Sequence, residues 1–152
     1  MKPPLYHLHL ETESKRAALF HLPESEWLAA APRHKALARR LRVTVGWNGD
    51  IRDEALKTAD FLITNGVPPR DNLRERAPNL KWIQSLATGV DYMLNLTSLR
   101  KEVLLTSTRG IHGPQMSEIA FLHMLSLNRN YPQVVRNQEK EDERLDQMKL
   151  GL

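Results

Sequence analysis

Short apolar runs alternate with amphipathic stretches along this chain, the βα rhythm of a parallel sheet with helices on its faces. Leu5-Tyr6-His7-Leu8-His9-Leu10 reads as a first strand, and its polar alternation predicts less burial than in the strands that follow. Pro23-Glu24-Ser25-Glu26 opens a helical stretch that reaches Leu41, with Pro32 as a candidate break. Val43-Thr44-Val45-Gly46-Trp47 is short and β-branched, a second strand. Asp50 stands where it can cap a helix over residues 51–57, and Asp60-Phe61-Leu62-Ile63-Thr64 predicts a third strand.

That strand runs into Asn65-Gly66-Val67-Pro68-Pro69, a tight loop by residue chemistry. A short helix over 70–77 stops at Pro78; residues 81–86 and 103–106 predict the fourth and fifth strands. Together these elements predict an α/β protein with a flavodoxin-like five-stranded parallel sheet and flanking helices, followed by a helical extension. Ligands of such sheets sit at the carboxyl ends of the strands. The loops at Asn65-Gly66 and Ala87-Thr88-Gly89 both follow strand ends and share that edge.

From Pro114 the periodicity changes. Met116, Ile119, Ala120, His123, Met124 and Leu127 recur at helical spacing, and Leu122 and Leu125 widen the apolar face. A helix apolar on most of its circumference needs cover on more than one side. Tyr131-Pro132 marks a break, and a second helix from about residue 133 carries a charged run over 139–144. The expected division is therefore residues 1–110 for the sheet domain and 111–152 for the helical extension.

Composition narrows the classes. With 41% hydrophobic and 26% charged residues, the 152-residue chain can bury a real core and falls outside the disordered class. The net charge of +4 is spread along the chain, and its densest cluster, Arg33, Lys35, Arg39, Arg40 and Arg42, has no aromatic platform beside it. It reads as a solvated face, with no nucleic-acid partner expected. The chain has no cysteine, which excludes disulfide frameworks, thiolate zinc sites and thiol catalysis and fits a reducing cytoplasm. No apolar run approaches the roughly 20 residues that span a bilayer, and Met1-Lys2-Pro3-Pro4 does not open a signal sequence. A cytoplasmic protein without a membrane partner is the expectation.

Few segments can carry chemistry. In Ala87-Thr88-Gly89-Val90-Asp91 small residues follow a strand, leaving successive N–H groups unshielded. If the next turn is helical, those donors attract a carboxylate or phosphate. Gly89 permits close approach and positive φ, and Asp91 can cap a short helix over 92–95. An ordinary β-to-α turn uses the same residues, so the turn alone leaves both readings open. Gly46-Trp47-Asn48-Gly49 lacks the length and the Lys of a phosphate-binding loop. His7 and His9 alternate on a strand without a third ligand, so no metal is expected. Glu11 and Glu13 make a poor acidic cluster for a receiver-type signalling domain.

A family resemblance sharpens the turn. Pro78-Asn79-Leu80-Lys81-Trp82-Ile83 followed by Ala87-Thr88-Gly89-Val90-Asp91 is similar to the strand and Gly-(small)-Gly-Val-Asp turn of the D-isomer-specific 2-hydroxyacid dehydrogenases, with Ala87 where many members have Gly. Arg109-Gly110-Ile111-His112-Gly113 and Met116-Ser117-Glu118 resemble the family's crossing segment and the start of its interdomain helix. Asn137-Gln138 lies where members often carry a polar pair. The match spans about residues 60–138, and earlier residues follow by strand order only.

The resemblance implies that backbone amides of Thr88 and Gly89 hold a substrate carboxylate and that Asn65 and Gly66 face the same cleft. It implies NAD or NADP as cofactor of the intact enzyme, a 2-oxo or 2-hydroxy acid as substrate, and a homodimer in which the helix from Met116 packs. The family's catalytic Arg, acid and His all follow its dinucleotide fingerprint, and no Gly-x-Gly-x-x-Gly occurs here. No catalytic residue is therefore assigned: Arg109 and His112 match the hinge, and His123, on an apolar helical face, reads as a core or interface histidine. The expectation is the N-terminal portion of such a dehydrogenase, cut before its Rossmann domain, inactive alone and with no cofactor bound to it. The alternative is a non-catalytic flavodoxin-like dimerisation or interaction module.

Overall fold

The computed structural model describes residues 6–65 and 72–139. Its elements are β1 (Tyr6–Thr12), α1 (Glu24–Ala30), α2 (Lys35–Ala38), β2 (Leu41–Trp47), α3 (Arg52–Leu56), β3 (Phe61–Asn65), α4 (Leu73–Arg76), β4 (Trp82–Ser85), α5 (Asp91–Leu94), β5 (Leu104–Ser107), α6 (Gly113–Asn128) and α7 (Tyr131–Glu139). All five strands are parallel, in the order β2-β1-β3-β4-β5, which is the flavodoxin-like arrangement. The chain divides after Arg109 into two compact units. The first holds the sheet and α1 to α5; the second holds α6 and α7.

The helical stretch after Pro23 is not continuous. Pro32 sits in a 3-10 turn over Ala31–His34 that separates α1 from α2, and β2 starts at Leu41, where that stretch was expected to end. Asp50 does not cap α3, whose N-cap residue is Ile51; its carboxylate instead accepts the N–H groups of Trp47 and Ile51, at 2.9 and 2.7 Å. Those two bonds hold its carboxyl below the ordinary range. One apolar core gathers Leu56, Leu62, Leu73, Leu80, Ile83 and Met93, so α3, α4 and α5 are held against β3 and β4.

The first strand corrects the sequence expectation. β1 is buried along almost its whole length, although it alternates polar and apolar residues. The order β2-β1-β3 places it inside the sheet, where both edges are paired. Its apolar face presents Leu8 and Leu10; its other face presents His7, His9 and Glu11, all buried.

The polar face is tolerated because it is hydrogen-bonded from end to end. An Arg42 guanidinium nitrogen lies 2.9 Å from His7 Nδ1, and His7 Nε2 lies 2.9 Å from Thr44 Oγ1. Thr44 Oγ1 is 2.8 Å from His9 Nδ1, and His9 Nε2 is 2.9 Å from Glu11 Oε2. Gly49 N–H closes the line on Glu11 Oε1 at 2.7 Å. Arginine only donates, which makes His7 Nδ1 an acceptor and leaves its Nε2 to donate. The line therefore runs one way: each ring accepts at Nδ1 and donates from Nε2, and Thr44 accepts from one ring and donates to the other.

Candidate functional site

The carboxyl edge of the sheet gathers the ends of β1, β3 and β4. Thr64 pairs with Ser85, and Leu86 N–H donates to Thr64 C=O at 2.9 Å, so the chain leaves β4 beside the end of β3. Ser85 Oγ accepts Ala87 N–H at 3.2 Å and lies 3.4 Å from Tyr92 Oη. From beyond β5, Thr108 Oγ1 donates to Leu86 C=O at 2.8 Å. Hydroxyls on both sides thus fix the backbone that enters the turn. These two residues were not singled out from the sequence; the signal was a hydroxyl residue flanking each arm of the turn.

Past Ala87 the hydrogen bonding stops. The N–H groups of Thr88, Gly89, Val90, Asp91 and Tyr92 meet no acceptor among the described residues, while Met93 and Leu94 N–H both turn back to Val90 C=O. Thr88 and Gly89 are exposed. A Cβ added at Gly89 would meet only Asp91 Oδ2, at 3.7 Å, which is ordinary contact. No packing among the described residues demands glycine there, and Gly89 is not among the positive-φ residues, so its use is an open approach to the backbone. Asp91 is not the cap expected for this helix: Val90 is the N-cap residue, and Asp91 begins α5 without a side-chain cap bond. Its carboxylate partly opposes an incoming anion.

The structure separates the other expected site residues. Asn65 lies at the same edge but is buried, and its Nδ2 donates to Phe20 C=O at 2.7 Å. It ties the 3-10 turn Ala18–Phe20 over the strand ends, and its amide is not turned outward. Gly66 lies outside the described residues. Arg109 ends the first unit, and His112 is the N-cap residue of α6 in the second; both are exposed. His123 is exposed on α6, not buried in a core. Among the described residues, no group of three His, Cys, Asp or Glu side chains can hold a metal ion. No described helix is long and apolar enough to cross a membrane.

This architecture has solved counterparts. The chain is similar to a D-isomer specific 2-hydroxyacid dehydrogenase family protein from Aeromonas salmonicida subsp. salmonicida A449, with a TM-score of 0.63 and 26% identity. The resemblance to the D-2-hydroxyacid dehydrogenases holds in fold as well as in motif. The match covers 90% of this chain but 40% of that dehydrogenase, so the chain spans well under half of its length. A phosphoglycerate oxidoreductase from Rhizobium etli shares the fold alone, with a TM-score of 0.54 and 17% identity over 93% of this chain and 41% of its own. No family model matches the chain, and a search of curated proteins gives no match.

Proposed function

We propose that this chain is the substrate-holding portion of an NAD(P)-dependent D-2-hydroxyacid dehydrogenase, and that the turn after β4 binds the carboxylate of a 2-oxo or 2-hydroxy acid. One observation carries the reading: five successive N–H groups, from Thr88 to Tyr92, meet no acceptor among the described residues, in an exposed turn whose glycine leaves the backbone open. Donors arranged in this way favour a compact anion, and charge-assisted hydrogen bonds are roughly twice as strong as neutral ones.

The hydride chemistry is attributed to the family only. The chain contains no Gly-x-Gly-x-x-Gly, and no described turn offers the glycine cradle that a dinucleotide pyrophosphate needs. No residue of this chain is given a catalytic role, and the isolated chain is expected to be inactive. The exposed apolar side chains of α6, among them Met116, Phe121, Leu122 and Leu125, support a homodimer built on that helix. They equally favour the second reading, a non-catalytic interaction module. A cytoplasmic location is supported by a 152-residue chain without cysteine.

An amide-resolved NMR titration separates these readings. Glyoxylate or pyruvate at millimolar concentration should shift the amides of residues 88–92, and methyl pyruvate, which lacks the carboxylate, should not. Asp91→Asn should tighten binding and Gly89→Val should weaken it. Unmoved amides in this turn would sink the substrate reading. NADH oxidation by the purified chain with glyoxylate, above a heat-killed control, would overturn the expected inactivity.

A further inference from the structure

A cavity of about 530 Å³ opens between the α1–α2 stretch and the edge strand β2, well apart from the turn after β4. Its helical side is lined by Glu24, Trp27 and Leu28 of α1, Ala31 of the 3-10 turn, and Lys35 and Arg39 at the two ends of α2. Its floor is Leu41 and Val43, two positions apart on β2 and so on the same side of the sheet.

A helical face turned toward a sheet is ordinarily apolar and closed. This one is neither. Neither α1 nor α2 has a buried residue, and Leu28 is 61% exposed although it lines the cavity. Lys35 and Arg39 stand one helical turn apart on the same face, and no ion pair engages either of them among the described residues. Two exposed cations thus stand beside an apolar floor, an arrangement that offers a charge-assisted contact to an anion whose apolar body covers that floor.

We infer that this cavity binds an amphipathic monocarboxylate, with its carboxylate between Lys35 and Arg39 and its apolar body on Trp27, Leu28, Leu41 and Val43. The size agrees with small-molecule sites, which occupy about 300–1,000 Å³ and combine an apolar lining with a few polar groups. Glu24 lies at the start of α1 and Lys35 at the start of α2, at opposite ends of the lining, which orients the ligand: the anionic end goes to α2 and the uncharged tail toward the start of α1. A second anionic group on the tail would meet that carboxylate, which restricts the ligand to one negative charge.

Decanoate is the probe. Isothermal titration of the full chain should give saturable binding, with methyl-region NMR shifts at Leu28, Leu41 and Val43. Lys35→Glu combined with Arg39→Glu should weaken binding by on the order of tenfold or more, the loss of a charge-assisted contact. Both positions are exposed, so the urea midpoint of that variant should stay unchanged. On the unaltered chain, decanol and decanedioate should both bind more weakly than decanoate. Equal binding of decanol, an intact affinity in the charge-reversed variant, or no shift at the three lining residues would each overturn the proposal. So would shifts at the same residues on raising protein concentration without ligand, which would give the cavity to a second copy of the chain.

Discussion

β1 and α6 invert the usual relation between polarity and burial. β1 carries two histidines, a glutamate and a threonine and is among the most buried elements. α6 carries Met116, Ile119, Phe121, Leu122, Met124 and Leu125, and each is about half exposed or more. Burial is decided by what the neighbours supply, not by hydropathy along the chain. On β1 every polar side chain of the inner line has a hydrogen-bond partner on the same or the adjacent strand or in the β2–α3 loop, so the desolvation cost is met. On α6 no described neighbour removes that apolar surface from water.

The contrast can be broken hardest at Glu11. Glu11→Ala strips the acceptor from both His9 Nε2 and Gly49 N–H inside the sheet and should destabilise the chain in urea unfolding by about 1–3 kcal/mol for each donor left unsatisfied. Glu11→Gln keeps an acceptor and should cost distinctly less; equal losses would mean that the line is not acting as one.

Gly46→Ala comes next. A Cβ there would stand 2.7 Å from Glu11 Oε2 and 2.9 Å from His9 Cε1, and neither group can swing away without losing its partner. Overpacking of this kind costs about 1–3 kcal/mol. An unchanged midpoint would show that the pair has room to move.

Acid tests the opposite end of the line. Burial, then the Arg42 charge, then His9 hold His7 below its ordinary value of 6.5, with a hydrogen bond to the Thr58 backbone and then the Asp60 charge acting against them. Because the folded value is depressed and the neutral ring is favoured, the stabilisation is complete above pH 6.5. It is lost as pH falls from there through the lowered value. Urea midpoints between pH 7.5 and 5 should fall for the unaltered chain and fall less steeply for His7→Gln; parallel slopes would remove His7 as the cause.

The smallest effect on stability is expected on α6. Leu122→Glu with Leu125→Glu should change the unfolding free energy by no more than about 0.5 kcal/mol, because surface positions rarely give more. The same variant should abolish concentration-dependent association in sedimentation. A large stability loss without a change in mass would show that these leucines pack within their own chain.

The strands were legible because each is a short apolar or β-branched run between turn residues, and that signal is local. The burial of β1 was not, because it follows from strand order: His7 and His9 are polar in sequence and become core residues only when Thr44 and Thr58 are brought beside them. The turn at Thr88 and Gly89 could be read from small residues after a strand, and the structure adds which donors are left over. Asn65 could not be judged locally, since its partner Phe20 is 45 residues away. The cavity beside β2 was also hidden, because Lys35 and Arg39, which line it, belong to a basic cluster with the composition of a solvated face.

The loop after β2 has a chemical consequence. Asn48-Gly49 is the dipeptide most open to deamidation, in which the glycine nitrogen attacks the asparagine carboxamide and ammonia leaves. Here the nucleophile is occupied, since Gly49 N–H is given to Glu11, and the electrophile is held by Ser14 through bonds of 2.9 to 3.1 Å. A stored sample should therefore age slowly at Asn48 while the line along β1 is whole and faster in Glu11→Ala, as peptide mass spectrometry would record. The buried glutamate thus also sets the shelf life of a bond on the surface.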